Sequence, residues 1–143
     1  MAAAVETALP ADVAIMVAAV ADWRVESAAQ KIKKDGSGVM PTLTLVENPD
    51  ILANLARNPQ RPRLLIGFAA ETENVIANAQ AKLTRKGCDW IVANDVSGDV
   101  MGGDGNTVHI VTESGVENWK RMGKDDVAER LAERVGEMLV EQN

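Results

Sequence analysis

The chain has 143 residues, the length of one ordinary domain, and we expect a single domain over residues 1–143. Its formal net charge of -6 argues against a nucleic-acid binder that uses its whole surface, so an anionic ligand would need a local positive patch. One cysteine and one histidine exclude an intrachain disulfide and a Cys/His metal site, and without an apolar run of roughly eighteen residues we expect no membrane span and a cytoplasmic protein.

The chain opens with an Ala-rich segment that reads as the second half of a helix ending at Leu9-Pro10. A nearly continuous apolar run over residues 13–21 then predicts a strand covered on both faces. A doubly wound domain normally opens with a strand and a glycine-rich turn that offers backbone N–H groups to phosphate. We therefore expect the first β-α unit to be missing from this chain.

A cluster of positive charge follows the first strand. After Asp22-Trp23-Arg24 and a short loop comes Lys31-Ile32-Lys33-Lys34, which places three lysines in four positions of an acidic chain. Like charges at this spacing repel, so the cluster favours a dense anion opposite it, and a nucleoside triphosphate is one candidate. The alternative is a solvated loop whose lysines keep it in water.

In two runs, residues 42–46 and 107–111, polar and apolar residues alternate. Each is predicted to be a strand with one wetter face, and the two are candidates for an antiparallel extension, a flap or an oligomer surface. Between them, Asn48-Pro49-Asp50 predicts a helix that Asn48 caps and that has Pro49 at its first position, running to about Arg57.

The second half of the chain predicts two more buried strands, over residues 64–70 and 90–94. A helix is expected from about Thr72 to Gly87, with a buried stripe of Val75, Ile76, Ala79 and Leu83. A glycine-rich loop follows over residues 96–106, and a last helix begins near Asp125. Alternating strands and helices predict an α/β protein, a Rossmann-like three-layer domain with a mostly parallel sheet and a small antiparallel flap.

Five short blocks carry a resemblance to a known family. They are Ala18-Ala19-Val20-Ala21-Asp22-Trp23-Arg24, Lys31-Ile32-Lys33-Lys34, Asn48-Pro49-Asp50-Ile51, Gly67-Phe68-Ala69-Ala70-Glu71-Thr72 and Ala93-Asn94-Asp95-Val96. In this order and at these spacings they closely resemble the bacterial phosphopantothenoylcysteine synthetase family, over nearly the whole chain. The resemblance implies a ligase of coenzyme A biosynthesis, a homodimer, fused to an FMN-dependent decarboxylase half that holds the flavin.

The implied reaction activates 4'-phosphopantothenate with CTP to an acyl-cytidylate, with loss of pyrophosphate. The amine of L-cysteine then attacks to form an amide and release CMP. A carboxylate must approach the α-phosphorus of a polyanion, and negative charge grows on oxygen in the transition state. Lysine ammonium groups and Mg²⁺ would neutralise that charge, and positioning would supply much of the remaining catalysis.

The resemblance assigns Lys31 as the catalytic lysine, with a role in nucleotide binding as well. It assigns nucleotide contacts to Ala18, Asp22, Pro49, Asp50, Ile51, Leu52, Phe68, Lys82 and Lys86, and no metal ligand is assigned. An acceptor-only carboxylate at Asp22 suits an amino or hydroxyl donor of cytidine. Lys82 and Lys86 project from one helix face and so are able to converge on one anion.

Each of these residues also has a structural interpretation. Asp22 could cap a helix or pair with Arg24, Phe68 and the small Ala18 could simply pack, and Asp50 would compete with a bare phosphate at a helix start. His109 and Cys88 are predicted to be structural, whereas Asn94 and Asp95 end a strand on the expected ligand side.

The family's glycine-rich segment and its asparagine at the acyl-substrate site are absent from these residues. We expect a ligase fragment that keeps much of the cytidine site and has little or no synthetase activity alone. Two alternatives remain: a catalytically silent nucleotide-binding module, and a dimerisation module in which the lysines are incidental.

Overall fold

The structure is a computed structural model that describes residues 1–28, 30–33, 36, 38–97 and 105–141. Lys34 of the lysine cluster and most of the predicted loop over residues 96–106 lie outside these ranges. The described elements, in chain order, are α1 (Ala2–Thr7), β1 (Val13–Met16), β2 (Trp23–Val25), β3 (Leu45–Glu47), α2 (Ile51–Ala56), β4 (Leu64–Glu71), α3 (Val75–Lys86), β5 (Trp90–Asp95), β6 (Gly105–Thr112), β7 (Gly115–Asn118), β8 (Met122–Gly123) and α4 (Lys124–Glu141).

The main sheet has the strand order β1-β4-β5-β6-β7, and the short β8 also pairs with β6. β1, β4 and β5 run parallel, and the later strands are antiparallel to their neighbours. Met16, the last residue of β1, lies opposite Gly67, and β4 continues past this point to Glu71, opposite Asp95. The carboxyl end of β1 therefore leaves a step in the sheet.

Helices cover both faces of this sheet and make three layers. On one face Leu64, Ile66, Trp90 and Val92 pack with Val127 and Leu131 of α4. On the other face Leu65, Ile91 and Ala93 pack with Leu55 of α2 and Ala79 of α3. Successive strand residues alternate between the two faces, which explains why these strands are apolar throughout. The predicted α/β class is confirmed.

β2 and β3 form a separate two-stranded antiparallel sheet, which we call the arm. Trp23 pairs with Glu47 and Val25 with Leu45, so Trp23, Val25 and Leu45 share one face. That face is open to solvent, with Trp23 and Leu45 each 58% exposed. The small antiparallel sheet is thus confirmed, although β3 spans Leu45–Glu47 and not residues 42–46. Residues 107–111 lie in β6, which pairs antiparallel with β5 and forms the predicted antiparallel extension of the main sheet.

Several predicted boundaries were wrong. The strand predicted over residues 13–21 ends at Met16, and the small residues after it are exposed. Asp50, and not Asn48, caps α2, because its side chain accepts a hydrogen bond from the Ala53 N–H; Pro49 therefore precedes the cap. In α3 the predicted buried Ile76 is 37% exposed, although Gly87 ends the helix in the left-handed conformation as expected.

No helix within the described ranges combines the length and the apolar character that crossing a bilayer requires.

Candidate functional site

The step at the carboxyl end of β1 is where the predicted nucleotide residues gather. α2 begins beside this step and lies close to the sheet, because a Cβ placed on Gly67 would stand 2.7 Å from Cδ2 of Leu52. Only glycine permits this approach without displacing Leu52. The first turn of α2, the middle of β4 and the chain that leaves β1 therefore meet at one place, on the side where open α/β sheets bind ligands.

Lys82 of α3 points at the strand beneath it. Its Nζ donates a hydrogen bond to the carbonyl oxygen of Phe68 at 2.7 Å, past the end of β1. Burial lowers the pKa of Lys82, and the nearby positive charge of Lys86 lowers it further, while Glu71 acts in the opposite direction. A half-buried ammonium next to a second one is stabilised by an added anion.

Lys86, one helical turn further on, forms an ion pair with Asp50, with 2.5 Å between Nζ and Oδ2. Burial raises the pKa of Asp50, but the hydrogen bonds from Lys86 and from the Ala53 N–H outweigh this and leave the pKa below its ordinary value. Asp50 therefore holds Lys86 with one oxygen and α2 with the other.

The segment that contains Asp22 is tied to the segment before α2. The backbone N–H of Asn48 donates to the carbonyl oxygen of Asp22 at 2.7 Å, and its side-chain Nδ2 donates to Ala21 O at 2.8 Å. Arg24 does not pair with Asp22, because its Nη1 donates to Glu47 O and to Asn48 Oδ1. Within the described chain, the exposed Asp22 carboxylate has no hydrogen-bond partner.

The structure thus brings most of the predicted contacts into one linked set. The carbonyl oxygen of Asp22 accepts a hydrogen bond from Asn48, which lies just before the start of α2. Asp50 pairs with Lys86, and Lys82 donates to the carbonyl oxygen of Phe68. The other predicted contacts at the start of α2 are Pro49, Ile51 and Leu52. The side chain of Phe68 packs partly against the core on the α4 face, so its expected packing role is real, and its carbonyl serves Lys82.

Two predicted residues stand apart from this linked set. Lys31 is exposed in the connection between β2 and β3, and it has no hydrogen bond or ion pair with any described residue. Ala18 is exposed in the segment that follows β1 and so lies near the step by its place in the chain. The role of Lys31 therefore stays a prediction.

Asn94 is a further candidate for ligand contact, and Asn48 and Arg24 have a connecting role that the sequence does not predict. Asn94 lies opposite Ala70 near the carboxyl ends of β5 and β4, and its Oδ1 is buried with no hydrogen-bond partner in the described structure. A buried acceptor without a donor is unusual and suits a ligand donor. Its place at the end of an apolar strand is the one signal that the sequence offers.

The other reactive side chains serve the fold. Nδ1 of His109 lies 2.7 Å from Asn118 Oδ1 across two paired strands, and burial raises the pKa of the Cys88 thiol. Trp119 is only 3% exposed and lies beneath Arg130, with 4.6 Å between the guanidinium carbon and the ring centre. Trp119 is therefore a core residue and does not offer a surface for a dimer contact.

Among the described residues, no three His, Cys, Asp or Glu side chains come together in a way that could hold a metal ion.

Comparison with known proteins identifies the family. Residues 1–139 match the DNA/pantothenate metabolism flavoprotein C-terminal domain, and the chain belongs to this family. It is 39% identical over 139 residues to the coenzyme A biosynthesis bifunctional protein CoaBC of Haemophilus influenzae, which covers 96% of this chain and 34% of that protein. It is 43% identical over 102 residues to CoaBC of Escherichia coli K12, with 68% of this chain and 25% of that protein covered. The chain thus spans about a third of the length of such relatives.

Solved structures agree with this assignment. The crystal structure of the C-terminal domain of a CoaBC protein superposes with a TM-score of 0.71 at 32% identity, covering 99% of this chain and 61% of that one. A DNA/pantothenate metabolism flavoprotein from Streptococcus pneumoniae has the same fold, with a TM-score of 0.69 at 19% identity. The resemblance inferred from the five sequence blocks is confirmed, and the relatives are proteins of coenzyme A biosynthesis.

Proposed function

We propose that this chain is the nucleotide-binding part of a CTP-dependent ligase that joins 4'-phosphopantothenate to L-cysteine through an acyl-cytidylate. The single observation that carries the proposal is the pair of lysines on α3. Lys82 and Lys86 are one turn apart, the second depresses the pKa of the first, and both meet oxygen atoms beside the step in the sheet. A triphosphate placed there relieves the repulsion between the two ammonium groups.

The remaining groups divide between the base and the phosphates. The Asp22 carboxylate has no partner in the described chain and is suited to accept a hydrogen bond from the amino group or a ribose hydroxyl of cytidine. The buried Oδ1 of Asn94 offers a second acceptor. Asp50, already paired with Lys86, orients that lysine and does not bind phosphate through its carboxylate.

Lys31 and Mg²⁺ complete the proposed chemistry. Lys31 lies in the connection of the arm, from which we expect it to reach the α-phosphate when nucleotide is bound. Mg²⁺ would arrive with CTP and neutralise phosphate charge. By family membership, we further propose that the whole protein carries an FMN-dependent decarboxylase half, and that this chain binds no flavin.

The arm supports a proposal of a homodimer. A two-stranded sheet is marginally stable alone in water, and this one exposes Trp23, Val25 and Leu45 on a single face. Covering that face with the arm of a second copy buries the apolar side chains of both. Aromatic side chains such as Trp23 are typical of interface cores.

Calorimetric titration of the purified chain with CTP and ATP tests the proposal. We expect CTP to bind more tightly than ATP, and Lys82→Ala or Lys86→Ala to weaken CTP binding by at least about tenfold, a loss typical of a charged hydrogen bond. The matched control is Lys120→Ala, an exposed lysine between β7 and β8. Absence of binding to either nucleotide would contradict the proposal.

A second measurement separates a ligase from a silent nucleotide-binding module. Phosphopantothenate is added to the CTP complex of the chain and of a full-length protein that contains it, and pyrophosphate release is followed. We expect release from the full-length protein that is lost with Lys31→Ala. CTP binding with no release from the full-length protein would support the silent module instead.

A further inference from the structure

One asparagine joins the two halves of the proposed nucleotide site. Asn48 uses its backbone N–H on Asp22 O and its side-chain Nδ2 on Ala21 O, at 2.7 and 2.8 Å. Its Oδ1 accepts from Arg24 Nη1 at 3.1 Å, and the same nitrogen donates to Glu47 O at 2.8 Å. Asn48 thus fastens the chain that leaves β1 to the chain that enters α2.

The residues on either side of this junction have different proposed partners. Asp22 follows Ala21 directly and is the candidate for the cytidine base or ribose, whereas Asp50 follows two positions after Asn48 and holds Lys86, a candidate for the triphosphate. We infer that Asn48, braced by Arg24, is a positioning residue that fixes Asp22 relative to Lys86 and thereby strengthens the contact with the nucleoside of CTP. This inference rests on the proposed function.

The physical reason is that the Asp22 side chain is exposed and has no hydrogen bond in the described structure, so only the position of its backbone limits the region that the carboxylate can reach. A hydrogen bond weakens steeply when distance and angle drift, so a loose backbone at Ala21 and Asp22 costs the base contact first. Lys82 and Lys86 belong to α3, and their contacts are to Phe68 and Asp50. Their grip on phosphate does not depend on the side chain of Asn48.

The test is Asn48→Ala in the 143-residue chain, titrated separately with CTP and with inorganic tripolyphosphate at one salt concentration. Losing the Nδ2 and Oδ1 hydrogen bonds is expected to weaken CTP binding about tenfold, while tripolyphosphate binding changes by less than about twofold. Asn58→Ala is the matched control. Asn58 lies just past the other end of α2, and its Oδ1 accepts a hydrogen bond from the backbone N–H of Gln60. This variant is expected to change neither affinity.

Arg24→Gln provides an independent variant, because it removes the brace and leaves the bond from Asn48 to Ala21 in place. We expect Arg24→Gln to weaken CTP binding by less than Asn48→Ala does and to affect tripolyphosphate binding as little. This variant tests the inference if Asn48→Ala does not fold. Equal losses for both anions, or an unchanged CTP affinity, would overturn the inference. A wild-type chain that binds neither anion would instead refute the proposed function, and the inference with it.

Discussion

Lys86 and Asp50 form an ion pair in which the Asp50 carboxylate also caps α2. Oδ2 of Asp50 receives the Lys86 ammonium at 2.5 Å, while Oδ1 receives the Ala53 N–H at 3.1 Å and caps α2. The Asp50 side chain is 41% exposed, so solvent screens the ion pair, and substitution of Asp50 can separate the ion pair from the cap.

Asp50→Ala removes both the cap and the ion pair, whereas Asp50→Asn keeps a good capping side chain and removes only the charge. We expect Asp50→Ala to lower the free energy of unfolding by about 1–2 kcal/mol and Asp50→Asn by less than about 1 kcal/mol. Urea denaturation at pH 7 measures both. Equal losses would mean that the cap contributes nothing.

The pH dependence of this contribution has a definite sign. Because the folded-state pKa of Asp50 lies below its ordinary value of 3.8, the stabilisation is present above pH 3.8 and is lost as the pH falls through the lower folded value. The difference in unfolding free energy between wild type and Asp50→Asn should therefore shrink in acid. A difference that stays constant from pH 7 to pH 2 would contradict this account.

The lowered pKa of Lys82 predicts that nucleotide binding weakens at alkaline pH. Burial lowers its pKa from the ordinary 10.5, so free chain loses this charge before an exposed lysine would, while a bound polyanion favours the charged form. CTP affinity should fall as the pH rises toward 10.5, with proton uptake on binding. Lys82→Arg stays charged throughout, so it should give a flatter profile in the same titrations. Identical profiles for the two proteins would rule out Lys82 as the titrating group.

The close packing of α2 against β4 at Gly67 predicts that a larger residue at this position destabilises the fold. An added Cβ would lie 2.7 Å from Leu52 Cδ2 and 3.0 Å from Ile91 Cδ1, so Gly67→Ala should cost about 1–3 kcal/mol of stability. The cost should be smaller in a Leu52→Ala background, as a double-mutant cycle in urea would measure. Gly136→Ala, in α4 with open space around it, should instead stabilise by about 0.5–1 kcal/mol. Equal effects at the two glycines would show that the close approach does not matter.

The exposed face of the arm predicts how the proposed dimer is broken. Trp23→Ser or Leu45→Ser should shift the chain from dimer to monomer, because each removes apolar area from the proposed interface. Size-exclusion chromatography with light scattering measures the mass. Val140→Ser is the control, since Val140 is also apolar and exposed but lies near the end of α4. A wild-type chain that is monomeric at high concentration would exclude this dimer.

The main sheet was predictable because its strands are buried on both faces and so are apolar throughout. β4 and β5 were placed within a residue of their observed ends, and the left-handed Gly87 marked the end of α3. The same rule overextended β1: the small apolar residues after Met16 read as buried strand, although they are exposed. Apolar character alone does not reveal where a strand leaves its neighbour, since β4 continues to Glu71 after β1 has ended at Met16.

For the candidate site, the sequence predicts several residues that the fold brings near one another, but it does not predict how they are connected. Lys82 and Lys86 share a helix face by spacing alone, and Asp50 and Leu52 follow from the motif that starts α2. The link from Asn48 to Ala21 and Asp22 spans distant positions in the sequence, and the pattern around Asn48 predicts only a helix cap. Long-range pairing of this kind leaves no periodic signal in the chain.

The three tryptophans give the chain an intrinsic fluorescence signal. Trp90 and Trp119 lie in the core, where their emission follows global unfolding, whereas Trp23 is open to solvent and directly follows Asp22. In the single chain a quencher such as iodide therefore reaches Trp23 selectively, and reduced quenching signals that a ligand occupies the neighbouring carboxylate or that the arm is covered, as in the proposed dimer. Fluorescence can in this way separate local occupancy from loss of the fold without any added label.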